Sequence, residues 1–208
     1  MRLVLISDTH TLHDQVRLPE GDVLVHAGDM CSYGSVREAQ ACLNWLNRQP
    51  FENVVAGNHD WAFARPQLKS QLDLGRIQYL ENSHTVIEGK VFYGSPVQPE
   101  FCDWAFNVPR GPEIKKYWDL IPENTDVLIT HGPPFGIGDQ VHLGYSDCLG
   151  CDDLFDAVDR IDPEVHVFGH IHGGYSKSQY GLGGTQFFNA SQCDEAYRVN
   201  NLPWTVDI

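Results

Sequence analysis

The residues able to do chemistry in this chain stand where short apolar runs end. Leu3-Val4-Leu5-Ile6 leads into Ser7-Asp8-Thr9-His10, and Asp22-Val23-Leu24-Val25-His26 leads into Ala27-Gly28-Asp29. Asn53-Val54-Val55-Ala56 leads into Gly57-Asn58-His59-Asp60, Asp126-Val127-Leu128-Ile129 into Thr130-His131-Gly132, and Val165-His166-Val167-Phe168 into Gly169-His170-Ile171-His172. Each of these exits taken singly is an ordinary turn or helix cap. Five in one pattern would set Asp8, His10, Asp29, Asn58, His131, His170 and His172 along one edge, enough ligands for two divalent metals. Two cations about 3.5–4 Å apart need a bridging carboxylate, and Asp29 is the natural candidate. In Asp8-Thr9-His10 and His170-Ile171-His172 the ligands are two apart, a spacing that turns both side chains the same way in an extended exit. A water between the cations, its pKa lowered from about 15.7 towards roughly 7, would be a hydroxide nucleophile suited to in-line attack on phosphorus.

The runs that must position these ligands are apolar and rich in β-branched residues, which predicts buried strands. Helical spacing lies between them, over Ser35 to Asn47 and over Cys151 to Arg160. Alternating strand and helix implies a sheet with helices on its faces, where ligands gather at the carboxyl ends of the strands. Arg76 to Gly94 differs, with shorter alternating strands about a turn at Glu88-Gly89-Lys90, which suggests a second sheet. No linker and no internal repeat divides the chain, so residues 1–208 read as one domain.

Composition sets the outer bounds. The 208 residues are 42% hydrophobic and 20% charged, which excludes disordered and fibrous classes, while 19 Gly and 12 Pro indicate many loops. A formal charge of −14 disfavours nucleic-acid polymers and anionic membranes as partners, so a small anionic substrate needs a local positive centre. The 6 Cys are scattered and read as reduced. The first apolar run meets Asp8 too soon for a signal-peptide core, and no run approaches the roughly 18 apolar residues of a membrane span, so a cytoplasmic location is expected.

As a set and in this order, Asp8-x-His10, Gly28-Asp29, Gly57-Asn58-His59-Asp60, His131-Gly132 and Gly169-His170-x-His172 resemble the calcineurin-like metallophosphoesterases over nearly the whole chain. The resemblance implies an α/β fold, a four-layer αββα sandwich of two mixed β-sheets flanked by helices. It implies Asp8, His10, Asp29 and His172 around one metal and Asp29, Asn58, His131 and His170 around the other. The cofactors would be two divalent ions drawn from Mn, Fe or Zn. Asp29 and His59 would be the catalytic pair, with Asn58 and His59 against the phosphoryl group and His59 protonating the leaving oxygen. One departure stands out. Many family phosphatases continue Gly-Asp with Asp and Arg, whereas Gly28-Asp29 continues Met30-Cys31-Ser32-Tyr33-Gly34, so the partner that orients His59 is missing and Asp60 is poorly placed to replace it.

Tyr93-Gly94-Ser95-Pro96, Phe101, Trp104, Phe106-Asn107, Arg110-Gly111, Thr130-His131-Gly132-Pro133-Pro134 and Asn189-Ala190-Ser191 resemble the metallophosphoesterase-domain-containing branch, associated with cyclic nucleotide phosphodiesterase activity. The expected reaction is hydrolysis of a small phosphodiester such as a cyclic nucleotide. The alternatives are a phosphomonoesterase and a non-catalytic nucleotide-binding or scaffold protein. Trp104 and Phe106 would stack on a base or simply pack their loop, and Arg110 would clamp a phosphate or open a helix. Cys148-x-x-Cys151 reads as structural, and Asp152-Asp153 as charge suited to a helix start. His166 reads as a core histidine and His26 as a brace for a ligand or buried polar structure. His13 is near enough to the first motif to line a cleft, while His84 and His142 carry no signal.

Overall fold

The computed structural model describes residues 1–49, 57–141, 148–180 and 184–208. In chain order the strands are β1 (Arg2–Ile6), β2 (Val23–His26), β3 (Ser83–Ile87), β4 (Lys90–Ser95), β5 (Gln98–Pro99), β6 (Asn107–Val108), β7 (Val127–Thr130), β8 (Val165–Phe168), β9 (Ser176–Tyr180), β10 (Thr185–Asn189) and β11 (Trp204–Asp207). The helices are α1 (Val36–Asn47), α2 (Trp61–Ala64), α3 (Pro66–Lys69), α4 (Pro112–Trp118) and α5 (Asp152–Ile161). The expected strand at Asn53 to Ala56 and His142 lie outside the described residues. Helix α1 begins where its sequence dictates, because Ser35 and Glu38 form a reciprocal capping box. Helix α5 carries Asp152 and Asp153 in its first turn, where the helix dipole favours them.

The strands form a three-stranded sheet, β11-β1-β2, a six-stranded sheet, β3-β4-β7-β8-β10-β9, and a small β5-β6 pair. Period-two alternation sends each strand's side chains to two different cores. Leu3, Leu5, Val23 and Val25 meet Phe92, Val127, Ile129, Val165, Val167 and Phe188 between the two sheets. The opposite faces of β1 and β2, with Val4, Ile6 and Leu24, pack on Leu43 and Leu46 of α1. Tyr93, Leu128, Phe168 and Phe187 pack on Trp118 of α4 and Leu154 and Val158 of α5. These three apolar layers make an αββα sandwich, as the resemblance implied.

Two details differ from the sequence reading. The hairpin of β3 and β4 turns at Glu88 and Gly89, both at positive φ, but β4 pairs in parallel with β7. It is therefore the edge of the sheet that also holds β7 and β8. Accordingly the ends of β1 and β2 that lead to candidate ligands belong to one sheet, and those of β7 and β8 to the other. Every one of these strands is apolar on both faces, so periodicity alone does not assign a sheet. No disulfide joins the six cysteines. Among the described residues no helix is long and apolar enough to cross a membrane.

His166 is held neutral in the apolar core. Thr130 donates its hydroxyl to the Gly132 carbonyl, so His166 Nε2–H donates to Thr130 Oγ1 at 2.9 Å, and Nδ1 is buried without a partner. Burial pushes this imidazole down to about 3. The neutral form is the one that folds, so its stabilisation is complete above the unfolded value of about 6.5 and is lost as pH falls towards 3, on the order of 4 kcal/mol in all. Denaturant unfolding followed from pH 7 to pH 4 should therefore show steadily falling stability, and His166→Gln should flatten that slope. An unchanged slope in the variant would contradict this account.

Candidate metal centre

The strand exits are strained where they carry the candidate ligands. Asp8, His10, Thr11, Asp29 and His170 have φ of 50°, 40°, 67°, 55° and 66°. Each costs about 1 kcal/mol or more and persists only where its surroundings over-determine it. Main-chain bonds supply that restraint. Asp8 N–H donates to the Gly28 carbonyl and His10 N–H to the Asp29 carbonyl, joining the β1 and β2 exits. Ser7 N–H donates to the Ala190 carbonyl and Gly169 N–H to that of His131, which brings both sheets to one edge. Two glycines are required by close approach: a Cβ on Gly169 would collide with the Asp8 carboxylate, and one on Gly57 with that of Asp29.

Asp8, His10 and His172 converge in one cluster, and Asp29, His131 and His170 in another. In the first, His10 Nδ1 lies 3.1 Å from the Cys31 carbonyl and His172 Nδ1 lies 3.0 Å from that of Asp194, so both Nδ1 atoms carry protons. Their Nε2 atoms then face each other at 3.2 Å, with Asp8 Oδ1 3.4 Å from that of His172. In the second, His131 donates Nδ1–H to the Ala27 carbonyl at 2.9 Å. Its Nε2 sits 2.8 Å from Asn58 Oδ1 and 3.3 Å from Asp29 Oδ1, and His170 Nδ1 lies 2.9 Å from the same Asn58 oxygen. Asp29 spans the two, since its Oδ2 lies 3.7 Å from His10 Nε2. Lone pairs therefore converge in both clusters, an arrangement that needs a proton or a metal ion between the donors.

The charges agree with that geometry. Burial alone would raise Asp8 and Asp29, but His172, His131 and His10 around the first, and His131, His10 and His59 around the second, hold both below the usual carboxylate range. Burial opposes a charge on His131, yet Asp29 lifts it to about 9. Burial pushes His170 down to about 4. The site is thus built around two ionised, buried carboxylates that attract a cation.

His59 has the orienting partner that its sequence context lacks. Its Nδ1–H donates to the Ser32 carbonyl at 2.8 Å, its N–H donates to Asp29 Oδ1 at 2.8 Å, and Nε2 lies 3.9 Å from Asp29 Oδ2. Trp104 stacks on the ring with centroids 4.1 Å apart. Asp60 does not face His59; it accepts N–H bonds from Met30, Cys31 and Gly57, and burial and then Asp29 push it up to about 6. His26 is a brace as well. Gly28 N–H donates to its Nδ1, so its Nε2–H donates to Thr9 Oγ1, and burial holds it neutral at about 3.

Asp29, Asn58, His59, His170 and His172 open onto a cleft of ≈ 380 Å³ whose wall is apolar, with Phe101, Trp104, Val141, Leu149, Ile171 and Tyr197. Of the aromatic and cationic residues expected at substrate, Trp104 alone lies there. Phe106 packs against the core beneath α1, and Arg110 spends its guanidinium on the carbonyls of Leu149 and Gly150, both at 2.7 Å. His13 is buried beside Trp45, away from the cleft lining, and His84 lies in β3. Sequence reasoning missed Tyr197, whose ring centroid lies 4.8 Å from that of His10 and 5.3 Å from that of His172, and Ser191, which donates to Asp8 at 2.8 Å. Ser191 belongs to the branch motif Asn189-Ala190-Ser191; Tyr197 has no spacing signal.

Comparison with known proteins places this arrangement. The chain is 38% identical over 233 residues to human metallophosphoesterase domain-containing protein 1, an alignment that covers 100% of this chain and 71% of that one. Among solved structures it resembles the protein TT1561 of Thermus thermophilus, with a TM-score of 0.63 at 13% identity over 99% of this chain and 98% of that one. It also resembles the phosphopantetheinyl hydrolase of Mycobacterium tuberculosis, with a TM-score of 0.62 at 17% identity over 94% and 90%. The family model described as calcineurin-like phosphoesterase matches residues 1–174, which contain all seven expected ligands, so the chain belongs to the calcineurin-like phosphoesterases.

Proposed function

We propose that this protein is a dinuclear metal-dependent phosphodiesterase acting on a small phosphodiester such as a cyclic nucleotide. The observation that carries the reading is the convergence of imidazole nitrogens and carboxylate oxygens in two clusters joined by Asp29. His, Asp and Asn donors of this kind suit Mn, Fe or Zn. Asp8, His10, Asp29 and His172 would hold one ion and Asp29, Asn58, His131 and His170 the other. Bound there, two divalent cations would supply the charge that acidifies water and neutralises a phosphoryl group.

The chain's own residues do the remaining work. The carbonyls of Cys31, Ala27 and Asp194 commit the Nδ1 protons of His10, His131 and His172, which leaves Nε2 of each ring for coordination. The Ser32 carbonyl does the same for His59, so only His59 Nε2 can pass a proton to a leaving oxygen. The Trp104 ring keeps that imidazole facing the cleft.

Chelator-stripped protein should melt at a lower temperature than Mn²⁺-loaded protein and should hydrolyse bis-p-nitrophenyl phosphate only when metal is restored. Preference for p-nitrophenyl phosphate would instead favour a phosphomonoesterase, and silence on both in a metal-loaded sample would favour a binding module. Asp29→Asn should lower kcat by about 100-fold or more and weaken the metal-dependent rise in melting temperature; near-wild-type turnover would remove the shared-carboxylate mechanism. His59→Ala should leave that rise in place. Its loss of kcat should be small for p-nitrophenolate, which leaves unprotonated, and about 100-fold or more for an alkoxide leaving group. Equal losses for both would exclude His59 as the acid.

A further inference from the structure

Two aromatic rings stand half exposed at the candidate metal centre, each against the histidines of a different cluster. Tyr197 is 51% exposed, with its ring centroid 4.8 Å from that of His10 and 5.3 Å from that of His172. Phe101 is 54% exposed, and its ring meets that of His170 edge-on with centroids 6.4 Å apart. Both line the cleft. Trp104, on the same lining, gives one face of its ring to His59.

Neither ring hangs on a slack loop. Asp194 Oδ1 accepts the N–H groups of Ala196 and Arg198, its Oδ2 accepts from the side chains of Arg198 and Asn200, and its carbonyl takes the N–H of Tyr197 and the Nδ1 proton of His172. Tyr197 itself is held at φ 56°, a conformation that a bulky residue rarely adopts. The Phe101 loop is built the same way. Asn107 Nδ2 donates to the carbonyls of both Phe101 and Cys102 at 3.0 Å, Cys102 has φ 49°, and Ala105 N–H donates to the carbonyl of Asn58. One polar side chain therefore clamps each turn, and each turn is tied to a candidate ligand, His172 through Asp194 and Asn58 through Ala105.

A single exposed aromatic needs no explanation, but strain and clamping that carry two rings to one site mean that their surroundings over-determine the exposed position. An aromatic face open to water is a stacking surface, because a planar group that covers it removes apolar area from water on both partners. A phosphodiester has one ester arm on each side of phosphorus. We propose that Phe101 and Tyr197 are two specificity platforms, each taking a planar, uncharged group on one arm of the substrate while the phosphoryl group lies at the metal centre between them. This rests on the phosphodiesterase reading above and narrows it to diesters with a flat ring on each arm. A cyclic nucleotide, with one base, would occupy one platform.

The test is calorimetric binding, to Mn²⁺-loaded full-length protein, of diphenylphosphinate, methylphenylphosphinate and dimethylphosphinate, which carry one negative charge each and have no ester bond to hydrolyse. Each phenyl group should tighten binding about tenfold, so that diphenylphosphinate binds about 100-fold better than dimethylphosphinate. Phe101→Ala and Tyr197→Ala should each weaken diphenylphosphinate about tenfold and leave dimethylphosphinate unchanged, while Tyr197→Phe should alter neither. The Mn²⁺-dependent rise in melting temperature should persist in all of these variants. Equal affinity for the diphenyl and methylphenyl compounds, or a diphenyl preference that neither alanine variant reduces, overturns the two platforms. Equal weakening of all the phosphinates, or loss of the metal-dependent rise, would make the altered ring a support for the metal centre and overturn its role as a platform. The expected affinities without hydrolysis of bis-p-nitrophenyl phosphate overturn the phosphodiesterase and keep the platforms, whereas hydrolysis without those affinities overturns the platforms alone.

Discussion

Asp29 carries its negative charge where almost no water reaches it, and the neighbouring backbone is arranged around that fact. Its two oxygens face different histidine groups, His131 through Oδ1 and His10 through Oδ2. A buried carboxylate without compensation would be protonated, so Asp29 and the histidines that hold it ionised form one electrostatic unit. Removing any member leaves the others buried with unmatched charge. The same unit explains why loops from two separate sheets meet at one edge, since neither sheet alone supplies both the carboxylates and the imidazoles.

The fold stabilises this unit at the expense of local backbone comfort. Five residues of the ligand loops sit in the left-handed region, and no ladder of strand bonds supports them there. Besides the main-chain bonds, buried side chains add restraint. His26 ties Thr9 to Gly28, and Asp60 gathers the N–H groups of Met30, Cys31 and Gly57. Helix α1 begins after Tyr33, whose N–H is taken by Glu38, so the Ser32 carbonyl that orients His59 belongs to a loop anchored at both ends. The three cores beneath are apolar and dense, which gives the loops a rigid base for strain of this kind.

The candidate ligands are legible in the sequence because their residue types recur at the ends of five apolar runs, and the αββα arrangement is legible through the resemblance that this set carries. Other features are not, for physical reasons. Strands apolar on both faces do not announce their sheet, so periodicity does not separate β7 and β8 from β1 and β2. The partner of His59 is a carbonyl, and a backbone atom leaves no mark in residue identity; Ser32 therefore reads as a gap in the motif. Arg110 has the right chemistry for a phosphate, but the carbonyls of Leu149 and Gly150 claim its guanidinium. Phe106 is one position from Ala105, whose N–H holds Asn58, yet its ring turns inward to the core. Tyr197 shows the reverse case, an aromatic with no periodic context that tertiary structure carries to His10 and His172.

The acidic composition acquires a structural meaning in this light. Read as a total, −14 argues only that polyanions are poor partners. Residue by residue, many of the carboxylates are clamps on loops: Asp139 accepts from Gly136 and Gly150, Asp194 from Ala196 and Arg198, Asp153 from Gly111, and Asp126 from Val91. A loop-rich chain has many main-chain N–H groups outside ladders, and an aspartate that collects two or three of them replaces the missing pairing. Such a solution has a chemical consequence. N–H groups turned towards the protein's own carboxylates are unavailable to a ligand, so an anionic substrate must find its positive charge elsewhere. Among the described residues that line the cleft there is no lysine or arginine, and the converging imidazoles and carboxylates are the groups there that could hold metal ions.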